Sequence, residues 1–127
     1  MPKLPVVYSC SGCSSAGQMA NWIAVKLDRS GKAEMSCIAG VGGGVGPLVR
    51  TAQEAGTVVA VDGCPLHCAL HSLRLRGVEP AVHVDLSRLG VKKQAHWDFS
   101  ENQAGQAYAR VAALVPEAAP AAEPVPF

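Results

Sequence analysis

Three short stretches with strand character in this chain each stop at a cysteine. Val6-Val7-Tyr8 leads into Cys10-Ser-Gly-Cys13, Lys32 to Ser36 into Cys37-Ile-Ala-Gly40, and Val58-Val-Ala-Val61 into Asp62-Gly63-Cys64-Pro65, with Cys68 following. A strand that ends in a chemically loaded turn and then passes into a helical period is the repeating unit of a parallel α/β sheet. Parallel neighbours present their carboxyl ends on one edge, so the pattern gathers the thiols there, as a metal or redox site requires.

The rest of the chain fits this frame. Leu4 to Ser9 reads as strand one, with Pro5 tolerable near its start. From Ser14 or Ser15 a helical stripe of Ala16, Met19, Ala20, Ile23 and Leu27 runs to a stop at Gly31. Lys32 to Cys37 predicts a weaker second strand, and the glycine-rich stretch Ala39 to Gly46 predicts a loop. Pro47 suits the first turn of a helix carrying Leu48, Ala52 and Ala55 and ended by Gly56. Thr57 to Val61, apolar on both faces, has the character of a central parallel strand.

After Cys64, Pro65 predicts another helix start, with Leu66, Ala69, Leu70 and Leu73 as its inner stripe. Ala81 to Asp85 is a fourth strand. A last helix opens at Ser100, with Gln103 placed for a capping box, and buries Ala104, Ala107, Tyr108, Val111, Leu114 and Val115. Residues 1–115 are expected to form one α/β metal-binding domain, and the Pro/Ala-rich residues 116–127 a disordered tail. The expected architecture is three-layered and Rossmann- or flavodoxin-like: a parallel sheet of about four strands in the order 2-1-3-4, flanked by helices. That order sets the ends of strands one and three side by side, and Cys37 with its glycine loop is expected to close over the same crevice.

Composition narrows the function classes. Eleven Lys and Arg against ten Asp and Glu give a net charge of +1, with no basic stripe for a phosphate backbone, so nucleic acid is not an expected partner. No apolar stretch approaches the roughly 20 residues that cross a bilayer, and Met1 to Val7 lacks the form of a secretory signal, so the expectation is a cytoplasmic protein without membrane contact. In a reducing compartment an odd number of cysteines spaced CxxC, lone Cys and CxxxC points to ligands or reactive thiols. There is neither a Ser-His-Asp pattern nor a zinc-peptidase helix motif to mark a hydrolase.

Cys10, Cys13, Cys37, Cys64 and Cys68 are the candidate metal ligands. Clustered thiolates suit zinc and equally an iron-sulfur cluster. With Pro65 taken as the first helical residue, Cys64 sits at a helix N-terminus and shares a helix face with Cys68. Gly40, Gly42 and Gly43 are candidates for backbone contact with a bound group, though the stretch lacks the Gly-Lys-Ser/Thr ending of a P-loop. Asp62 is placed either to orient a cysteine or to cap the following helix. His67 and His71 read as solvated, and His83 and His96 as structural or exposed.

The runs Cys10-Ser-Gly-Cys13-Ser14, Glu34-Met-Ser-Cys37-Ile-Ala-Gly40 and Val61-Asp62-Gly63-Cys64-Pro65, with Cys68 beyond, resemble the DGC-domain family of small bacterial and archaeal proteins, to which zinc binding is attributed. The resemblance covers residues 3 to 115 and implies a metal site drawn from the five cysteines, with no established reaction. More distantly, CxxCS after the first strand and Gly-Cys-Pro after a later one are similar to the flavodoxin-like domain of hydrogenase small subunits. That likeness implies an iron-sulfur cluster on Cys10, Cys13, Cys37 and Cys64.

The leading expectation is a small zinc-binding protein with a thiolate site at the carboxyl edge of a parallel sheet, serving metal delivery or sensing. The alternatives are an iron-sulfur electron carrier, and a thiol or persulfide redox protein using Cys64 and Cys68.

Overall fold

Three β-branched runs and the short segment Glu34–Met35 pair into one parallel sheet in the computed structural model of the chain, which describes residues 3–118. Strands β1 (Val6–Ser9), β2 (Glu34–Met35), β3 (Val58–Asp62) and β4 (Val82–Asp85) lie in the order β2-β1-β3-β4. Val6 to Ser9 register with Val58 to Val61, and Val59 to Asp62 with Val82 to Asp85, all in parallel. Every residue of β3 is buried, as a strand covered by helices on both faces must be.

Helix α1 (Ser15–Arg29) starts where Ser14 Oγ accepts the Gly17 amide at 3.0 Å, and its predicted stripe of Ala16, Met19, Ala20, Ile23 and Leu27 is buried. Gly31, just past its end, takes φ +75°, the left-handed cap that only glycine adopts without strain. Helix α5 (Glu101–Leu114) opens with Ser100 Oγ accepting the Gln103 amide at 3.2 Å and packs on α1. Trp22 of α1 meets Phe99 and Tyr108 with ring centroids 6.1 and 6.5 Å apart, and Lys26 Nζ lies over the rings of Trp22 and Tyr108. Helices α2 (Ile38–Gly42), α3 (Gly46–Glu54) and α4 (Cys68–Leu75) form the opposite layer, with α2 packed on both α3 and α4.

Several expectations about individual elements need correction. The second strand shrinks to Glu34–Met35, because β2 pairs on one side only, with β1. The glycine-rich stretch is not one loop: Ile38–Gly42 is helical and Gly46 already begins α3. Close packing accounts for Gly40, since a Cβ there would overlap the Leu48 side chain. Pro65 lies in a turn and not at a helix start, so α4 begins only at Cys68, and Leu66 and Leu114 are exposed instead of buried. Of the predicted tail, residues 116–118 carry no helix or strand, and the remainder lies outside the described residues.

If Gly40 is glycine because α2 must approach α3, Gly40→Ala is expected to destabilise the fold by about 1–3 kcal/mol through overpacking. Adding Leu48→Ala, which clears the space, should make the double variant more stable than the sum of the single effects predicts. Urea midpoints of the four proteins in that cycle measure it.

Candidate thiol site

The site is built where β1 and β3 end together. The Cys10 amide donates to the Val61 carbonyl at 3.1 Å, and the Gly63 amide donates back to Cys10 Sγ at 3.1 Å, so the two cysteine-bearing turns are bonded to each other. Burial pushes the Cys10 thiol up to about 12, against the opposing effect of the Gly63 hydrogen bond, and the neighbouring Asp62, Cys64 and Cys68 push the same way as burial. Gly63 runs directly beneath the first turn of α1, where a Cβ would lie 2.5 Å from the Ala16 carbonyl carbon and oxygen. No other residue fits that crossing without moving the backbone.

Asp62, 1% exposed, is the anchor of the second turn. Its Oδ1 accepts the Ala69 amide at 2.8 Å and its Oδ2 the Leu70 amide at 3.2 Å. These are first-turn donors of α4, so Asp62 caps the helix from six residues ahead of it while the residue at the N-cap position, His67, makes no capping bond. The same Oδ2 lies 2.8 Å from His83 Nε2 on β4. A carboxylate only accepts, so the ring N–H is the donor.

His67 stands in the left-handed region at φ 54°, uncommon for a side chain without special reason. Its Nε2 lies 2.8 Å from Asp85 Oδ2 at the end of β4, while Asp85 Oδ1 accepts from the Ser87 amide at 2.9 Å and the Ser87 hydroxyl at 2.6 Å. The His67 and His83 rings meet edge to face, centroids 4.6 Å apart. Burial alone would raise the Asp85 carboxyl, but the bonds from Ser87 and His67 outweigh it and hold the group below the ordinary aspartate range.

Cys10, Cys13, Cys64 and Cys68 line one cavity of about 230 Å³, together with Asp62, Leu66 and Lys93. Cys13 and Cys68 are exposed and Cys64 is partly so. Lys93 arrives on the segment before α5, which is tied to the first cysteine turn. The Ser15 amide donates to the Gln94 carbonyl, the Gln94 amide to Ser15 Oγ, and the His96 amide to the Cys13 carbonyl, at 2.9, 3.1 and 2.9 Å. So held, Lys93 Nζ reaches to 3.7 Å from Cys64 Sγ.

Cys37, at the N-cap position of α2, lines a neighbouring cavity with Asp28, Asn21 and Ser36 instead of closing over the crevice of the other four. Gly40, Gly42 and Gly43 line neither cavity. Cys64 and Cys68 do not share a helix face, since Cys64 precedes the turn and Cys68 is the first residue of α4. The donor set has the softness zinc prefers, but among the described residues no three His, Cys, Asp or Glu side chains are grouped so as to hold a metal ion as they stand. Loading would require the thiols to turn toward a common point. His67 and His83, read from the sequence as solvated or structural, are paired members of the wall beside the site, and Lys93 was not anticipated at all. The proximity of each depends on a long-range contact that spacing does not encode, although His83 and Asp85 alternating on a strand that ends beside Asp62 carry a partial signal.

A parallel α/β domain with a thiol-lined cavity at the carboxyl edge of its sheet is thus the class to which the structure assigns the chain. The chain belongs to the DGC-domain family, whose model matches residues 6–111. It is similar to the "Anaerobic and virulence modulator AnvM" of Pseudomonas aeruginosa, 46% identical over 112 residues that cover 88% of this chain and 86% of that protein. No solved structure matches it. Among the described residues no helix is long and apolar enough to cross a membrane.

The depressed Asp85 carboxyl has a signed consequence for acid stability. Its contribution is fully present above the ordinary aspartate value of about 3.9 and is lost as pH falls through the lower folded value. Asp85→Asn is therefore expected to be less stable than the parent at neutral pH and to narrow that difference as the pH is lowered. Thermal melts from about pH 5 down to about pH 1, the span over which a salt-bridged aspartate loses its contribution, read out that convergence.

Proposed function

We propose that this protein is a small regulator whose reduced thiols, Cys10, Cys13, Cys64 and Cys68, bind one zinc ion and release it on oxidation, so that occupancy reports a reducing, oxygen-poor state. The observation that carries this reading is the single cavity lined by four cysteines drawn from two separate turns that are hydrogen-bonded to one another. Four soft thiolates suit zinc, and zinc with four thiolates carries two net negative charges that Lys93, the cation lining the cavity, would partly offset. The relative's name as an anaerobic and virulence modulator agrees with a regulator tuned to oxygen.

The release step balances with a peroxide as oxidant. Two thiolates give up two electrons and form an S–S bond, the peroxide O–O bond breaks and leaves as two hydroxides, and the metal loses two donors.

The proximity of Lys93 to Cys64 supports a second reading, in which Cys64 is a redox thiol that works without metal and pairs with Cys68. An iron-sulfur cluster on Cys10, Cys13, Cys37 and Cys64 draws less support, because Cys37 lines the neighbouring cavity.

Metal, acid-labile sulfide and free thiols, measured on protein purified anaerobically, test the proposal. The expected result is one zinc per chain, no sulfide, loss of zinc from Cys13→Ser and Cys68→Ser, retention in Cys37→Ser, and release by peroxide. Iron with sulfide overturns it in favour of electron transfer. All five thiols free and no zinc retained overturns it in favour of the metal-free redox thiol.

A further inference from the structure

The turn Gly63 to His67 carries Cys64 and leads into Cys68, yet hydrogen bonds within the turn hold it at only one point, the His67 amide on the Cys64 carbonyl at 3.2 Å. Its two ends are fixed from outside. At the start, Asp62 is clamped between the amides of Ala69 and Leu70 and the His83 ring. At the far end, the chain reverses into α4 through the left-handed His67, a conformation uncommon for L-residues. There the His67 ring is bonded at 2.8 Å to Asp85, itself fixed by two bonds from Ser87. The ring is further wedged against His83, the partner of Asp62.

Both ends of the thiol-bearing turn are thereby fastened to β4, an element that contributes no sulfur, at His83 and at Asp85. We infer that His67 is a positioning residue for the thiol site: through Asp85 it latches the turn so that Cys64 and Cys68 open on the same cavity as Cys10 and Cys13. This deepens the zinc-thiolate reading and rests on it for its purpose, while the latch itself is a statement about thiol geometry.

The test follows iodoacetamide alkylation of each cysteine in the reduced, metal-free full chain, resolved by peptide mass spectrometry, together with zinc affinity. Exposed Cys37, outside the cavity, is the internal reference, and buried Cys10 reports general opening. His67→Gly permits the left-handed backbone but removes the ring, and Asp85→Asn keeps the ring but weakens its anchor.

In both variants the alkylation rates of Cys64 and Cys68 relative to Cys37 are expected to change at least several-fold while Cys10 stays protected. Zinc affinity should fall about 10- to 100-fold, the usual effect of losing a group that orients ligands. The double variant should be no worse than the more severe single one, as for two halves of one contact. Unchanged rate ratios, or Cys10 becoming reactive in step with the others, would overturn the latch. Shifted ratios in a protein that binds no zinc in any form would leave the latch standing and reject the zinc reading instead.

Discussion

A buried carboxylate leaves little freedom to the chain around it. Asp62 sits at the end of the central strand with almost no exposure, and removing such a group from water is tolerable only if its oxygens are fully bonded. Three donors meet that demand: two helix amides and an imidazole. Satisfying the first pair places the N-terminus of α4 against the end of β3, and satisfying the third brings β4 into register beside it. Those bonds fix where the Cys64 turn begins and where α4, with Cys68 as its first residue, starts, and the His67–Asp85 contact holds the chain between them.

Each residue of the run Asp62-Gly63-Cys64 answers a different physical requirement. The aspartate supplies the missing helix cap, the glycine lets the turn pass under the α1 backbone, and the cysteine opens on the cavity. The glycine is the least replaceable of the three, because the atoms it meets at 2.5 Å belong to the main chain of Ala16 and cannot rotate away. Its amide, freed by the turn, is what bonds Cys10 Sγ and joins the two cysteine turns.

Strand and helix periodicity made the sheet order, the inner face of α1 and the gathering of Cys10, Cys13, Cys64 and Cys68 legible in the sequence, since these follow from local pattern and from the handedness of parallel crossovers. What escaped depends on tertiary context. A glycine that signals a loop by propensity instead permits α2 to pack tightly against α3, as at Gly40 on Leu48. Pro65 is as well suited to a turn as to a first helical residue, and α4 starts at Cys68 because Asp62 caps it there. The histidines looked idle because their partners are 18 and 21 residues away in sequence.

The four sulfurs of the cavity are not equivalent, and the difference bears on what such a site can do. Cys10 is buried and held by an amide donor, so it is already fixed as a wall of the cavity. Cys13 and Cys68 are open to solvent, and Cys64 lies between these extremes, facing an ammonium carried by a separate segment. That segment is bonded to the first cysteine turn at Ser15 and Cys13, so the cation beside Cys64 is held by the same turn that carries Cys10 and Cys13. One fixed thiol, three more accessible ones and a cation tethered to the same turn give the four sulfurs unequal access to solvent and to charge, and a site of that kind has thiols that differ in how readily they react.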